Sequence, residues 1–237
     1  MSTFLELSQK TRRESGAGGT GPSTVTGQSG QLEKMVNWVA DSYTDIQLRC
    51  PNWRWMRTGF TVTTTASVGT YAYTACTDSK TAAAIARFAS WWAHDRLNPF
   101  KCHLTSAGVS GQYRLIWMPY EDWRRIYEFG VQQSTTGQPA FVSVDNDDRI
   151  VLGPKPDAIY TVTGEFQRGP QTLAADGDTP DMPTRFHDLI VWHALTRYAV
   201  NAVAPEVLTY GKMLSDRMMR ELEQAQMPTF RMAGPLA

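Results

Sequence analysis

The 237-residue chain has few cysteines, few histidines and no excess of charge of either sign. Cys50, Cys76 and Cys102 form an odd set with no C-x-x-C pair, and the neighbours Cys102 and His103 lack a second ligand pair at metal spacing. This argues against a disulfide scaffold or a zinc module and for reduced thiols in a cytoplasmic compartment. The 23 basic side chains are matched by 23 acidic ones, so a generic nucleic-acid binder that works by neutralising phosphates is disfavoured. Any contact with DNA is expected to be weak or transient. No apolar run reaches the ~18 residues of a membrane span, and there is no signal-peptide pattern or lipidation motif. The expectation is a chain that neither spans a membrane nor is exported.

Convergent catalytic residues are also missing. The histidines are His94, His103, His187 and His193, and none sits in a motif with mechanical content. The stretch "PTRFHDLIVWHALTRYA" is the one place where two of them fall on one predicted helix. His187 and His193 are six residues apart, so at roughly 100° per residue they diverge by about 120° and cannot share a metal from one face. A zincin helix needs H-E-x-x-H; this one reads H-D-L-I-V-W-H. Phe186, Leu189, Ile190, His193, Ala194 and Arg197 instead follow the spacing of a buried stripe. His193 is therefore expected to be a packing histidine with its hydrogen bonds satisfied. No metal, nucleotide or other cofactor is implied, and the chain is not expected to be an enzyme.

What is present is apolar patterning, with 42% hydrophobic and 11% aromatic residues, enough for a sizeable core. "TFLELSQKTRRESG" predicts a first amphipathic helix with Thr3 as N-cap and Gly16 as stop. Residues 16–30, "GAGGTGPSTVTGQSG", can neither hold a helix nor bury much surface of their own. The loop lacks the G-K-[ST] ending of a phosphate loop, and its ordering is expected to depend on a neighbouring molecule. A second helix carries Leu32, Met35, Val36, Val39, Tyr43 and Ile46 on one stripe until Pro51.

Near residue 57 the apolar period shortens to two. "TGFTVTTT" and "AIYTVTGEFQ" predict half-buried strands, and "AFVSVDNDDRIVLGPKP" predicts a hairpin turning at Asp145 to Asp148. That cluster and "DGDTPD" at 176–181 have too few ordered oxygen ligands for a calcium loop. "MPYEDWRRIYEFG" reads as a short helix with Trp123, Ile126 and Tyr127 inward. Trp91, Trp92, Trp117 and Trp123 belong to this half, where exposed rings would stack on sugars and buried ones would be sheet core.

Helical periodicity returns at Pro183, and Pro205 separates that helix from a last one with Val207, Gly211, Leu214, Met218, Leu222 and Ala225 on its apolar stripe. Gly211 marks a close helix approach. The tail "MPTFRMAGPLA" is too short for a core of its own. The pattern predicts an α+β fold, a helical body from both terminal regions with an inserted antiparallel β-rich domain. Its segments are 1–56 with the Gly/Ser/Thr loop, the β-rich 57–168, the connector and helices 169–226, and an extended tail 227–237.

Three stretches carry a family resemblance: "FLELSQKTRRESGAGGTGPSTVTGQSGQLEKMVNWVADSYTDIQLRCPNWRWMR", the middle from "MPYEDWRRIYEFG" to "GEFQRGPQTL", and "MPTRFHDLIVWHALTRYA". Together they resemble the adaptor, or head-to-tail connector, proteins of tailed bacteriophages; residues 96–113 fall outside the resemblance. It implies a structural virion protein, assembled in the host cytoplasm. Such a protein is a homo-oligomeric ring, a dodecamer, that sits on the portal protein at the head-tail junction. It receives downstream tail or nozzle proteins and lets DNA pass. Within that reading the tail residues Pro228, Phe230, Arg231, Met232 and Leu236 are the expected portal-binding element, since Pro228 stops the helix and the apolar residues are spaced as anchors. The rival class is a carbohydrate-binding or tail-fibre module built on the tryptophans.

Overall fold

The computed structural model describes residues 2–93 and 99–226. The chain divides into two compact units, one built from the segment up to Met56 and the chain from Pro170 onward, the other from Arg57–Gly169.

In the first unit α1 (Phe4–Glu14) starts with a capping box. Thr3 Oγ1 accepts from Glu6 N, and the Glu6 carboxylate accepts from Thr3 N at 3.0 Å. Two more N–H groups of its first turn donate to the Asp178 and Asp176 carbonyls, so the connector after Pro170 seals the helix start. α2 (Gly30–Leu48) buries Met35, Val36, Val39, Tyr43 and Ile46 as patterned. Trp53 is completely buried; its indole N–H donates to the Ile46 and Gln47 carbonyls, both at 3.1 Å, closing the last turn of α2.

The third and fourth helices of this unit (His187–Ala202 and Pro205–Gln226) form an antiparallel pair. The first is preceded by a 3-10 turn, Thr184–Phe186, so Pro183 leads into the turn and the α-helix itself begins at His187. Val203 closes that helix in the left-handed conformation, φ 53°, and Pro205 opens the next one, where a proline without N–H loses nothing. A Cβ on Gly211 would lie 3.4 Å from the Trp192 carbonyl and 3.5 Å from Leu195 Cβ. The glycine sets the close packing of the pair. The buried seam of the last helix is Gly211, Ser215, Met219 and Leu222, rotated slightly from the predicted stripe.

The second unit is β-rich. Its strands are β1 (Arg57–Thr63), β2 (Thr70–Tyr71), β3 (Thr77–Asp78), β4 (Ser90–Trp91), β5 (Lys101–Leu104), β6 (Tyr113–Arg114), β7 (Ile116–Trp117), β8 (Thr136–Gly137), β9 (Phe141–Val144), β10 (Ile150–Gly153), β11 (Lys155–Pro156) and β12 (Tyr160–Gln167). A six-stranded sheet runs β3-β1-β12-β5-β6 with β4 also on β12; a four-stranded sheet runs β2-β10-β9-β7; β11 pairs β8. Phe60, Val62, Cys102, Val162 and Phe166 from the first sheet meet Tyr71, Val142, Ile150 and Leu152 from the second in one core. The alternate residues, Thr61, Thr63, Thr161 and Thr163, lie on the other face of the strands, as period two requires. Gly164 sits opposite Phe60, and a Cβ there would lie 2.8 Å from the Phe60 ring, so the aromatic side chain occupies the glycine's vacant space.

Not every pairing is antiparallel. β7 with β9 and β11 with β8 are parallel, which corrects the purely antiparallel expectation. Parallel neighbours need a crossover, and between β7 and β9 it is supplied by α3 (Tyr120–Trp123) continuing into a π-helical stretch, Arg124–Glu128. Trp123 is buried while Ile126 and Tyr127 are half-buried. The helices of the first unit that follow β12 are α4 (His187–Ala202) and α5 (Pro205–Gln226).

Candidate assembly surfaces

The two histidines of α4 have different surroundings. The His187 ring donates from Nε2 to the Met182 carbonyl at 3.0 Å and accepts at Nδ1 from Ser2 N at 3.3 Å. Both bonds suit the neutral ring, and burial holds its pKa below the usual range. His193 corrects the expectation of a satisfied histidine: its buried Nδ1 has no hydrogen-bond partner among the described residues. Burial also lowers its pKa, with Asp45 opposing the shift and Arg197 and Arg49 reinforcing it. Burial pushes the Cys76 thiol up to about 12 and raises that of Cys102, which makes both poor nucleophiles and poor metal ligands. Cys50 is also a free, buried thiol. Among the described residues no cluster of His, Cys, Asp or Glu could hold a metal, and no helix is long and apolar enough to cross a membrane. His94 lies outside the described residues.

The acidic segment after Pro170 acts as a fastener. Asp176 Oδ1 accepts from Val25 N at 2.6 Å and from Thr24 Oγ1 at 3.0 Å. The Asp178 carboxylate accepts from Ala174 N and Ala175 N, and those backbone bonds lower its pKa. Gln171 exchanges hydrogen bonds with Gln47 and Tyr43 of α2. The Gly/Ser/Thr loop is thereby tied to its own chain: Val25 is only 7% exposed and joins the helical core, and Gln9 donates to the Pro22 carbonyl at 3.0 Å. This corrects the expectation that only a neighbour could order it. Residues 22–25 are held within the chain, while Gly18, Gly19 and Thr20 stay exposed, and Gly19 and Thr20 line a 710 Å³ hollow with Arg12 and Arg13.

The tryptophans divide by burial. Trp91 packs among Phe60, Phe88, Phe100 and Phe166, and Trp92 lies under the Arg57 guanidinium, 4.4 Å from ring centre. Trp123 is buried beside Tyr120 and Tyr127. No open row of rings is offered to a sugar by these side chains. The portal-binding residues Pro228, Phe230, Arg231, Met232 and Leu236 lie outside the described residues, and α5 ends at Gln226 beside a 450 Å³ groove lined by Arg185, Phe186, Glu221, Gln224 and Ala225.

Two further surfaces stand out. One is the turn between β9 and β10, where Asn146, Asp147 and Asp148 project from a framework made by the buried Asp145. The other is a 420 Å³ groove on the six-stranded sheet, with Lys101, Arg114, Gln112, Thr61, Thr163 and Ser79 around it. The acids were visible in the sequence as a hairpin turn. The pairing of Lys101 with Arg114 depends on register and had no local signal.

The SU10 adaptor protein family model matches residues 2–237. The chain belongs to the SU10 adaptor protein family. A comparison with curated proteins finds no match. The family match spans the residues of both units of this phage adaptor.

Proposed function

We propose that this adaptor is a structural virion protein at the head-tail junction: a ring of identical subunits, a dodecamer, seated on the portal and open along its axis for DNA. The observation that carries this reading is the family match along essentially the whole chain. A helical body with an inserted β-rich domain suits the role, because two units per subunit offer separate surfaces, one for ring neighbours and one for the components above and below. The balanced charge suits it too, since a channel that transmits DNA must not retain it. Assembly proceeds without bond-making chemistry, in the host cytoplasm, and the finished ring receives tail or nozzle proteins.

The portal contact falls to residues 227–237. Phe230, Met232 and Leu236 act as apolar anchors, each worth about 1–3 kcal/mol when buried, and Arg231 adds one charge. Many tails acting from one ring bind far more tightly than one. Negative-stain imaging of the protein mixed with portal should show a ring stacked on the portal. A chain lacking 227–237 should stay folded yet fail to co-sediment with portal; normal co-sedimentation would place docking elsewhere, and absence of any ring with the full chain would reject the function itself.

A further inference from the structure

We propose that neighbouring subunits of the ring are joined by the acidic β9–β10 turn of one copy seated in the Lys101/Arg114 groove of the next. The inference rests on the ring reading above and supplies the contact that closes it.

The groove is cationic by register. Lys101 on β5 pairs directly with Arg114 on β6, and on its other side with Thr163 on β12, which in turn pairs with Thr61 on β1. Two like charges side by side on adjacent strands destabilise a sheet, and the salt bridges of the described residues include neither Lys101 nor Arg114. Glu165, at the edge of the groove, is engaged by Arg57 at 3.4 Å. Gly59 leaves one strand without a side chain over the groove, and the Thr61, Thr163, Ser79 and Gln112 side chains supply donors around it. Two cations among hydroxyl and amide donors form a receptor for carboxylates.

The same polypeptide carries a matching knob. Asp145 accepts from Asp147 N at 3.0 Å, Arg149 N at 2.8 Å and Arg149 Nε at 2.7 Å, and Asp148 takes the left-handed conformation, φ 57°. The Trp91 indole donates to the Asp148 carbonyl at 2.7 Å. The turn is therefore fixed before any partner arrives, which lowers the entropy lost on docking. Arg149 Nη2 also reaches Asp147 Oδ2 at 3.0 Å, and the Asp147 side chain remains 73% exposed. Asp145, Asp147 and Asp148 against Arg149 leave the turn with two negative charges; the groove, with Glu165 offset by Arg57, carries two positive ones. Knob and groove belong to different sheets. Seated in one direction around an axis, knob of one copy in groove of the next, the contact is heterologous, the kind that closes into a ring when the rotation per subunit divides the circle. The match in charge and the ready-made turn favour a second copy over a phosphate backbone as the occupant.

The test is charge reversal in the full chain, with ring formation followed by sedimentation velocity in the presence of portal and folding checked by circular dichroism. Lys101→Glu with Arg114→Glu should raise the concentration for half-assembly by about tenfold or more, and so should Asp147→Lys with Asp148→Lys. The four substitutions together should return assembly to near the wild-type concentration, a rescue that misfolding cannot imitate. As a second measurement that leaves the turn intact, Lys101→Gln with Arg114→Gln should flatten the salt dependence of assembly. Rings that form at the wild-type concentration with the groove reversed, or a combined variant no better than its parents, would overturn the contact while leaving the ring reading intact. Loss of duplex-oligonucleotide binding in the groove variant with rings unaffected would also overturn it, assigning the groove to phosphates. Failure of the wild-type chain to form rings would instead remove the function proposed above, and this contact with it.

Discussion

Replacing Asp176 with alanine should open the Gly/Ser/Thr loop without unfolding the protein. Asp176 Oδ1 is the acceptor for both Val25 N and Thr24 Oγ1, and hydrogen bonds to a charged group contribute about 1.5–3 kcal/mol each. Both are partly exposed to water, so the low end applies, and the pair holds the loop by about 3 kcal/mol. Asp176 is the acceptor of the Val25 amide, and once the amide is free the Val25 side chain, 7% exposed in the intact loop, can leave the core. Global stability changes less, because α1 and α2 keep their capping box and their packing. The observable is amide exchange at Val25, which should accelerate roughly 100-fold at 3 kcal/mol, together with thermolysin cleavage between Thr24 and Val25. Asp176→Asn, which keeps one acceptor oxygen without the charge, should fall between the two. A Val25 amide that exchanges freely in the wild-type protein, or identical protection in Asp176→Ala, would refute the reasoning and restore the expectation that a neighbouring molecule orders the loop.

Three further outcomes are expected. Gly211→Ala should be tolerated or gain up to about 1 kcal/mol from helix propensity, because its Cβ meets ordinary contact distances, whereas Gly211→Leu should cost roughly 1–3 kcal/mol by forcing α4 and α5 apart; urea denaturation distinguishes them. His187 has a lowered folded pKa, so its contribution is complete above the unfolded value of about 6.5 and is lost as pH falls through the folded value. The acid limb of stability should therefore begin just below neutral and flatten in His187→Gln, measured by denaturant midpoints from pH 8 to 5. Asp178 titrates in the same sense further down: its stabilisation is present above the ordinary aspartate range and disappears as pH falls through its depressed pKa, so Asp178→Asn should weaken the protein at neutral pH and converge with wild type in acid.

The helices were legible in the sequence because their buried faces repeat with the helical period: the stripe from Met35 to Ile46 is the core face of α2, and Thr3 is its predicted cap on α1. The alternation of Phe60 and Val62 with threonines likewise announced β1, and Asp145 to Asp148 announced a turn. What could not be read was anything set by partners distant in sequence. Asp176 gave no hint of Val25, about 150 residues away in the chain. The parallel pairing of β7 with β9 depends on a crossover whose two-residue strand has no period to read. His193 looked like a packing residue by spacing, and spacing says nothing about whether Nδ1 finds a donor. The Lys101/Arg114 pair is a fact of register between strands too short to show alternation. The residues expected to dock on the portal lie beyond Gln226.

The two strands that begin and end the β-rich unit are neighbours: Arg57 lies opposite Gln167 in an antiparallel pair. Such partners are only about 5 Å apart at Cα, so the chain enters and leaves this unit through one narrow doorway. In genetic terms it is a cassette. A few glycine and serine codons joining residues 56 and 170 would remove it, and a different cassette with equally close ends would take its place. A unit exchanged at these two points would bring its own surface while the helical body kept its own.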